Sequence, residues 1–492
     1  MLNISSVVKL LKSNIFLFSS SRIITYLIQF VNTLYIAIVL GPFYLGIWGF
    51  INLMIIYSGF LNLGIPLALG VNLARNYANR DLLSKMLSQS VILTFACSVI
   101  IGLAIIIISW FNISYFNKYN ADSYFIILYF IIVLIQFNNL YTNVYRVSGK
   151  LFKVAFFQTS VQFSFLIVLI FSFYFNIKNS NVIFLLLIAY LVSGFASLLL
   201  FLIKSPIKLK FNMEILHFHE IKKTINQGLN LLLFNVSFNL MIIGSKTIIS
   251  YFYSIEEFGF FSFSWNLAQA TIMILQIVSF ILSPKMLNRF YIMNNDQVYD
   301  LIAKVNKIYV TISFLLVYIA FASICILVKI FPQYQSAFPL FVILSLSVAL
   351  YNFSFGTSTY LIAKKKEKIL SFYSIISCMI CMVIVLLMSL FKLPYIYTGA
   401  SIFISYIVMI LMTNSKVYSL LSIKQNILFA LKEFFSYYIW IPMAFSFLLI
   451  ISEFYLLYFI PLVLFIAFNF YSLKDSLKAI KNTINNPNFI NI

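Results

Sequence analysis

The stretch "IFLFSSSRIITYLIQFVNTLYIAIVL", residues 15–40, is long and apolar enough to cross a bilayer and carries a single charge, Arg22. About 20 predominantly apolar residues span the hydrocarbon core as an α-helix, so this run reads as a membrane helix that ends at Gly41-Pro42. Comparable runs recur along the 492-residue chain, which is 63% hydrophobic and 9% charged, with a mean hydropathy of +1.02. Soluble domains carry about 25% charged residues, far more than this chain has for a water-facing surface. Because the runs are apolar on every side rather than alternating, a β-barrel is excluded. The expected fold class is an all-α polytopic membrane protein. The first run is too long for the core of a signal peptide and no small-x-small cleavage site follows it, so no cleaved leader is expected.

Spacing of the apolar runs predicts 14 spans, at 15–40, 46–72, 89–110, 123–145, 154–175, 181–203, 225–251, 259–284, 308–330, 337–363, 369–391, 395–413, 434–451 and 454–473. With the N-terminus in the cytoplasm, inner segments collect 27 of the 33 Lys and Arg and outer segments hold 4, while Arg22 and Lys246 lie within spans. That asymmetry is the positive-inside pattern, and it predicts that both termini are cytoplasmic. The net charge of +21 is spread over every inner loop, with no soluble domain to form a nucleic-acid-binding face. Topology and anionic lipid headgroups account for it, and no nucleic-acid partner is expected.

The four cysteines, Cys97, Cys325, Cys378 and Cys381, all fall in apolar runs. Cys378 and Cys381 form a CxxC with no second ligand pair, and His217 and His219 lie in a distant loop. A metal site needs about four converging ligands, so these are read as packed thiols, with no metal or cofactor expected.

The basic loop "KSPIKLKFNMEILHFHEIKK" (204–223) divides the chain into two similar halves. "GPFYLGIWGF" (41–50) leads into the second span and "SIEEFGFFSF" (254–263) into the eighth. Aligning Gly46 with Gly259 also superposes the start of the first span on that of the seventh. Six spans separate the halves, so both run in the same direction, as in a parallel repeat about a pseudo-twofold axis along the membrane normal. The expected organisation is a six-helix lobe at 1–203, the loop 204–223, a second six-helix lobe at 224–413, and two extra helices with a cytoplasmic tail at 414–492.

"VLGPFYLGIWGFINLMIIYSGFLNLGIPLALGVNLAR" (39–75) resembles the opening signature of bacterial Wzx-type polysaccharide flippases, which move O-antigen or capsule repeat units. They belong to the multidrug/oligosaccharidyl-lipid/polysaccharide exporter superfamily. The matching features are Leu-Gly-Pro, the Gly-aromatic pair, "NLGIP" (62–66) and the cation that ends the second span. "SIEEFGFFSFSWNLAQ" (254–269) and "LSPKM" (282–286) are similar to the equivalent segment of the second half. The resemblance implies two six-helix lobes around a central cavity. It implies as cargo an undecaprenyl-pyrophosphate-linked oligosaccharide, carried from the inner to the outer leaflet of the bacterial cytoplasmic membrane. Polymerase and chain-length proteins of the same pathway are then the expected partners, besides membrane lipid.

All 12 Asp and Glu fall in loops or at span ends, none in mid-span. A cation-coupled exporter of cationic drugs usually needs an intramembrane carboxylate, which disfavours that alternative on the same fold. An interior with Arg and Lys but no acid suits an anion such as pyrophosphate. At 100° per residue, Arg22, Gln29 and Thr33 share one face of the first span, with Thr25 close and Asn32 flanking. Asn235, Asn239 and Lys246 likewise share a face of the seventh. These two stripes supply the candidate substrate-binding residues: Arg22, Gln29, Thr33, Asn235, Asn239 and Lys246. Arg22 and Lys246 sit near enough to span ends that reaching toward the headgroups is the competing reading. Arg75, Arg146 and Lys285 at cytoplasmic span ends are candidates for a mouth, and Gly64 and Pro66 for a kink or hinge in the second span. A polymerase or ligase would be expected to carry a large external loop with catalytic side chains, whereas the outer loops are short. "SGKLF" (148–152) lacks the glycine and Ser/Thr of a phosphate-binding loop.

Overall fold

A computed structural model describes residues 14–76, 79–210, 218–237, 239–422, 431, 434, 436–450 and 454–485. Among these residues every regular element is helical. Ten helices are long and apolar enough to cross a membrane, and the shorter apolar helices Ile65–Ala74, Leu240–Phe252 and Tyr437–Ile450 add to them. The chain is a multi-pass membrane protein. It divides into two compact units, Met1–Val236 and Ser237–Ile492.

In the first unit, α1 (Asn14–Leu61) covers the expected first span and most of the second, with its helical dihedrals broken at Gly41 (φ 71°, ψ 172°) ahead of Pro42. Only glycine adopts that φ without cost, and Pro42 removes a donor. The carbonyl of Leu40 is instead met by Asn179 Nδ2 at 3.0 Å. The expected second span does not run unbroken to 72: α1 stops at Leu61 and α2 (Ile65–Arg75) restarts with Pro66 in its first turn. Leu63 and Gly64 both have positive φ, and Asn62 Oδ1 accepts from the Gly64 N–H at 2.9 Å. Then come α3 (Arg80–Phe111), α4 (Ser114–Asn117), α5 (Phe125–Val147), α6 (Leu151–Tyr174), α7 (Asn179–Ile203) and α8 (Phe218–Ser237). Helix α1 packs along α6, α5 against α7, and α2 between α3 and α5. The outer face of α3 leaves Phe95, Ile100, Ile106 and Trp110 exposed, as a lipid-facing surface requires.

The expected basic loop at 204–223 is helical from Phe218, and α8 joins the first unit rather than opening the second. A glycine contact joins α8 to the start of α2. A Cβ on Gly64 would stand 2.1 Å from the Gly228 carbonyl oxygen, so the two backbones meet where no side chain fits. Further contacts hold the loop itself: Lys210 Nζ lies 2.6 Å from Asp81 and its N–H donates to Ser88 Oγ at 2.9 Å. Lys85 pairs with Glu220 at 3.5 Å.

The second unit contains α9 (Leu240–Phe252), α10 (Ile255–Thr271), α11 (Met273–Ile292), α12 (Asn295–Ala322), α13 (Ile324–Ile330), α14 (Phe338–Tyr351), α15 (Phe355–Ala363), α16 (Glu367–Leu390), α17 (Thr398–Leu420), α18 (Tyr437–Ile450) and α19 (Phe459–Asn485). Helix α9 packs on α16, α10 on α14, α14 on α17, and α19 on both α12 and α18. Several expected spans are divided: the seventh into α8 and α9, the eighth into α10 and α11, the tenth into α14 and α15. Most acids stand at helix starts. Ser254 and Glu257 form a capping box on α10, with the Ser254 hydroxyl accepting from the Glu257 N–H at 3.2 Å. Cys97, Cys378 and Cys381 are buried as packed thiols, with Cys381 Sγ 3.2 Å from Ser245 Oγ.

Candidate functional site

Four helices of the first unit turn one face each toward a common cavity of about 300 Å3. Helix α1 contributes Arg22, Thr25, Tyr26 and Gln29, spaced i, i+3, i+4 and i+7 on one face. Helix α5 adds Asn138, Asn139 and Thr142, α6 adds Gln158 and Gln162, and α7 adds Tyr190 and Ser197. Thus Arg22 and Gln29 of the expected stripe line the cavity. Thr33 does not: its hydroxyl donates back to the Gln29 carbonyl at 2.9 Å.

Some of these polar groups are occupied in holding helices together. Thr25 Oγ1 lies 2.6 Å from Thr159 Oγ1, and Asn32 Nδ2 donates to the Gln162 carbonyl at 2.7 Å and to Gln162 Oε1 at 3.2 Å, joining α1 to α6. Asn138 Nδ2 donates to Gly194 O at 2.9 Å and its Oδ1 accepts from Ser197 at 2.8 Å, joining α5 to α7. Others remain available. Gln158 Oε1 is buried with no hydrogen-bond partner among the described residues. Unpaired buried carbonyls are costly in a low-dielectric interior, so an amide left this way beside a cavity is suited to a ligand or bound water.

Arg22 is half-buried, within electrostatic reach of Tyr26 on its own helix and of Arg146 at the end of α5. No carboxylate lines the cavity among the described residues. Its field is therefore cationic, with amides and hydroxyls around a single guanidinium. Arg146 is exposed and does not line the cavity, although its charge faces the same region. The side chains of Arg75, Lys285 and Asn235 lie outside the described residues.

Of the expected stripe of the seventh span, Asn239 and Lys246 have described side chains. Helix α8 is described to Ser237, and α9 begins at Leu240 with Asn239 as its N-cap. Asn239 lines a separate cavity of about 370 Å3 inside the second unit. Lys246, 9% exposed, is buried on α9 and does not line that cavity; no carboxylate pairs with it among the described residues. The residues missed in the sequence are Asn138, Asn139, Thr142, Gln158 and Gln162. Their signal was present as amides and a hydroxyl at i, i+4 inside the fourth and fifth spans.

The family model of polysaccharide biosynthesis proteins matches residues 11–286, more than half of the chain. No curated protein matches it. Among solved structures, an inward-facing multidrug resistance MATE family transporter of the MOP superfamily is similar over 84% of this chain and 99% of that one. The TM-score is 0.66 and the identity 16%. The lipid II flippase MurJ in an inward closed conformation is similar over 94% of this chain and 99% of its own, with a TM-score of 0.60 at 14% identity. Polytopic all-helical fold, lobe-interior cavity and family model agree: the chain belongs to the polysaccharide biosynthesis protein family, on the fold of the MOP superfamily.

Proposed function

We propose that this protein flips undecaprenyl-pyrophosphate-linked oligosaccharide repeat units from the cytoplasmic to the outer leaflet of a bacterial inner membrane, by alternating access, for surface polysaccharide such as O-antigen or capsule. The observation that carries this reading is the cavity of the first unit, with Arg22 as its cation, amides and hydroxyls around it and no carboxylate among the described residues. Arg22 would hold the diphosphate bidentately, the geometry in which a guanidinium binds such an anion best. Gln29, Asn139 and Gln158 would meet the remaining oxygens and the first sugar, because amides both donate and accept. Desolvating a charge in the bilayer costs at least about 2.5–3.5 kcal/mol, a penalty that an arriving diphosphate offsets. An exporter of organic cations would want the opposite polarity. Both termini belong in the cytoplasm on this reading, by the 27-to-4 cation asymmetry.

The test is complementation of a strain whose copy of the gene is deleted. Arg22→Ala should abolish surface polysaccharide at an unchanged protein level, and Arg22→Lys should retain part, since an ammonium keeps the charge but loses the fork. Normal polysaccharide from Arg22→Ala would leave Arg22 as a headgroup-seeking cation and overturn the proposal.

A further inference from the structure

We infer that the cavity inside the second unit is a saccharide subsite, taking a neutral sugar ring of the cargo between aromatic faces and amide groups. The inference rests on the flippase reading above and adds to it a second site of different chemistry. This cavity, about 370 Å3, is lined by Asn239, Trp265, Gln269, Gln276, Tyr351 and Tyr406 among others, and carries no charged side chain among the described residues. It lies at the small end of ligand pockets, which run from roughly 300 to 1,000 Å3.

The absence of charge among its lining residues argues against a diphosphate, which needs a cation, and against an organic cation, which wants a carboxylate. What remains is a neutral polar ligand with an apolar face. A pyranose is such a ligand: its hydroxyls donate and accept, while its ring C–H face packs on the electron-rich face of an aromatic ring. The lining matches both requirements. Trp265 and Gln269 stand one turn apart on α10, so an indole and an amide address the same space. Gln276 Nε2 reaches Gln269 Oε1 at 3.3 Å, a long bond that leaves the Gln269 amide hydrogens and the Gln276 carbonyl without partners among the described residues. The Trp265 indole N–H likewise makes no hydrogen bond among the described residues. Tyr351 and Tyr406 form a tilted pair, centroids 5.4 Å apart at 48°.

Two further lining residues are committed to packing. Phe355 is stacked on Tyr309 with centroids 4.1 Å apart, and Asn352 donates to Ser313 at 2.8 Å, so those residues serve as the frame. Trp265, Gln269 and Gln276 have no such duty. Their replacement therefore tests the subsite rather than the fold.

The experiment uses the full-length purified protein in lipid nanodiscs and two probes: undecaprenyl pyrophosphate without sugar, and the undecaprenyl-pyrophosphate-linked oligosaccharide extracted from the deletion strain. The wild-type protein should bind the glycosylated lipid at least about tenfold more tightly, the scale of one or two hydrogen bonds. Trp265→Leu and the double variant Gln269→Leu/Gln276→Leu should erase that preference while leaving affinity for the bare lipid unchanged. Trp265→Phe, which keeps an aromatic face, should retain most of it. Variants that keep the wild-type preference, or that lose both lipids equally, would overturn the inference. So would a wild-type protein that does not distinguish the two lipids. Wild-type protein that binds neither lipid would overturn the flippase reading and this subsite with it, a result distinct from the others.

Discussion

Gly64 shows how single positions constrain this chain. Its φ of +69° is a conformation that costs an L side chain about 1–2 kcal/mol, and the Gly228 carbonyl occupies the place of a Cβ. Gly64→Ala should therefore lose stability by more than the backbone term alone, about 2 kcal/mol or greater, read as a lowered unfolding temperature of the purified protein. Gly59, also in the second span, has nothing within 4 Å of the point where a Cβ would stand. Gly59→Ala should be neutral or slightly stabilising, since alanine is the better helix former. Equal behaviour of the two variants would contradict the close approach of α2's start to α8. The contrast also separates the two glycines that sequence treats alike: one serves a break, the other is a permissive helix position.

At the scale of helices, the polar residues of α1 divide into two duties. Arg22 and Gln29 face the cavity, while Asn32 is committed to α6. Interhelical hydrogen bonds in membranes average about 0.6 kcal/mol and reach about 1.7. Asn32→Leu should thus cost about 0.5–2 kcal/mol of stability and still support surface polysaccharide, unlike Arg22→Ala. Loss of polysaccharide with Asn32→Leu at normal protein level would move Asn32 from the joint into the site. The first helix was legible in sequence because Arg22 and Gln29 lie seven residues apart, two helical turns, and share a face wherever the helix is regular. In the seventh span no glycine or proline marks the start of α9 at Leu240, so the sequence did not announce it. The faces of α5, α6 and α7 were legible only as isolated amides. Which of them converge is decided by packing between helices, and no periodicity within one helix encodes that.

For the whole molecule, apolar length and charge placement carried most of the fold. Each expected span has helical counterparts among the described residues, and the acids stay out of mid-span because nothing inside would solvate them. The cation asymmetry makes a further demand. A fluorescent protein fused after Ile492 should fold and fluoresce, as it does only on the cytoplasmic side, and a periplasmic reporter there should stay inactive; the reverse would invert the topology. In a background lacking native cysteines, Gln29→Cys and Asn239→Cys should both react with a water-soluble maleimide, since each residue is exposed at a cavity. Complete protection at either position would close that cavity to water. The translocation reading meets its plainest test in proteoliposomes that contain only this protein and its lipid-linked oligosaccharide, where movement of the glycolipid to the opposite leaflet is followed with time. Wild-type protein should move it and Arg22→Ala should fall to the rate of protein-free vesicles; equal rates for wild type and Arg22→Ala, or no movement by wild type, would contradict the account.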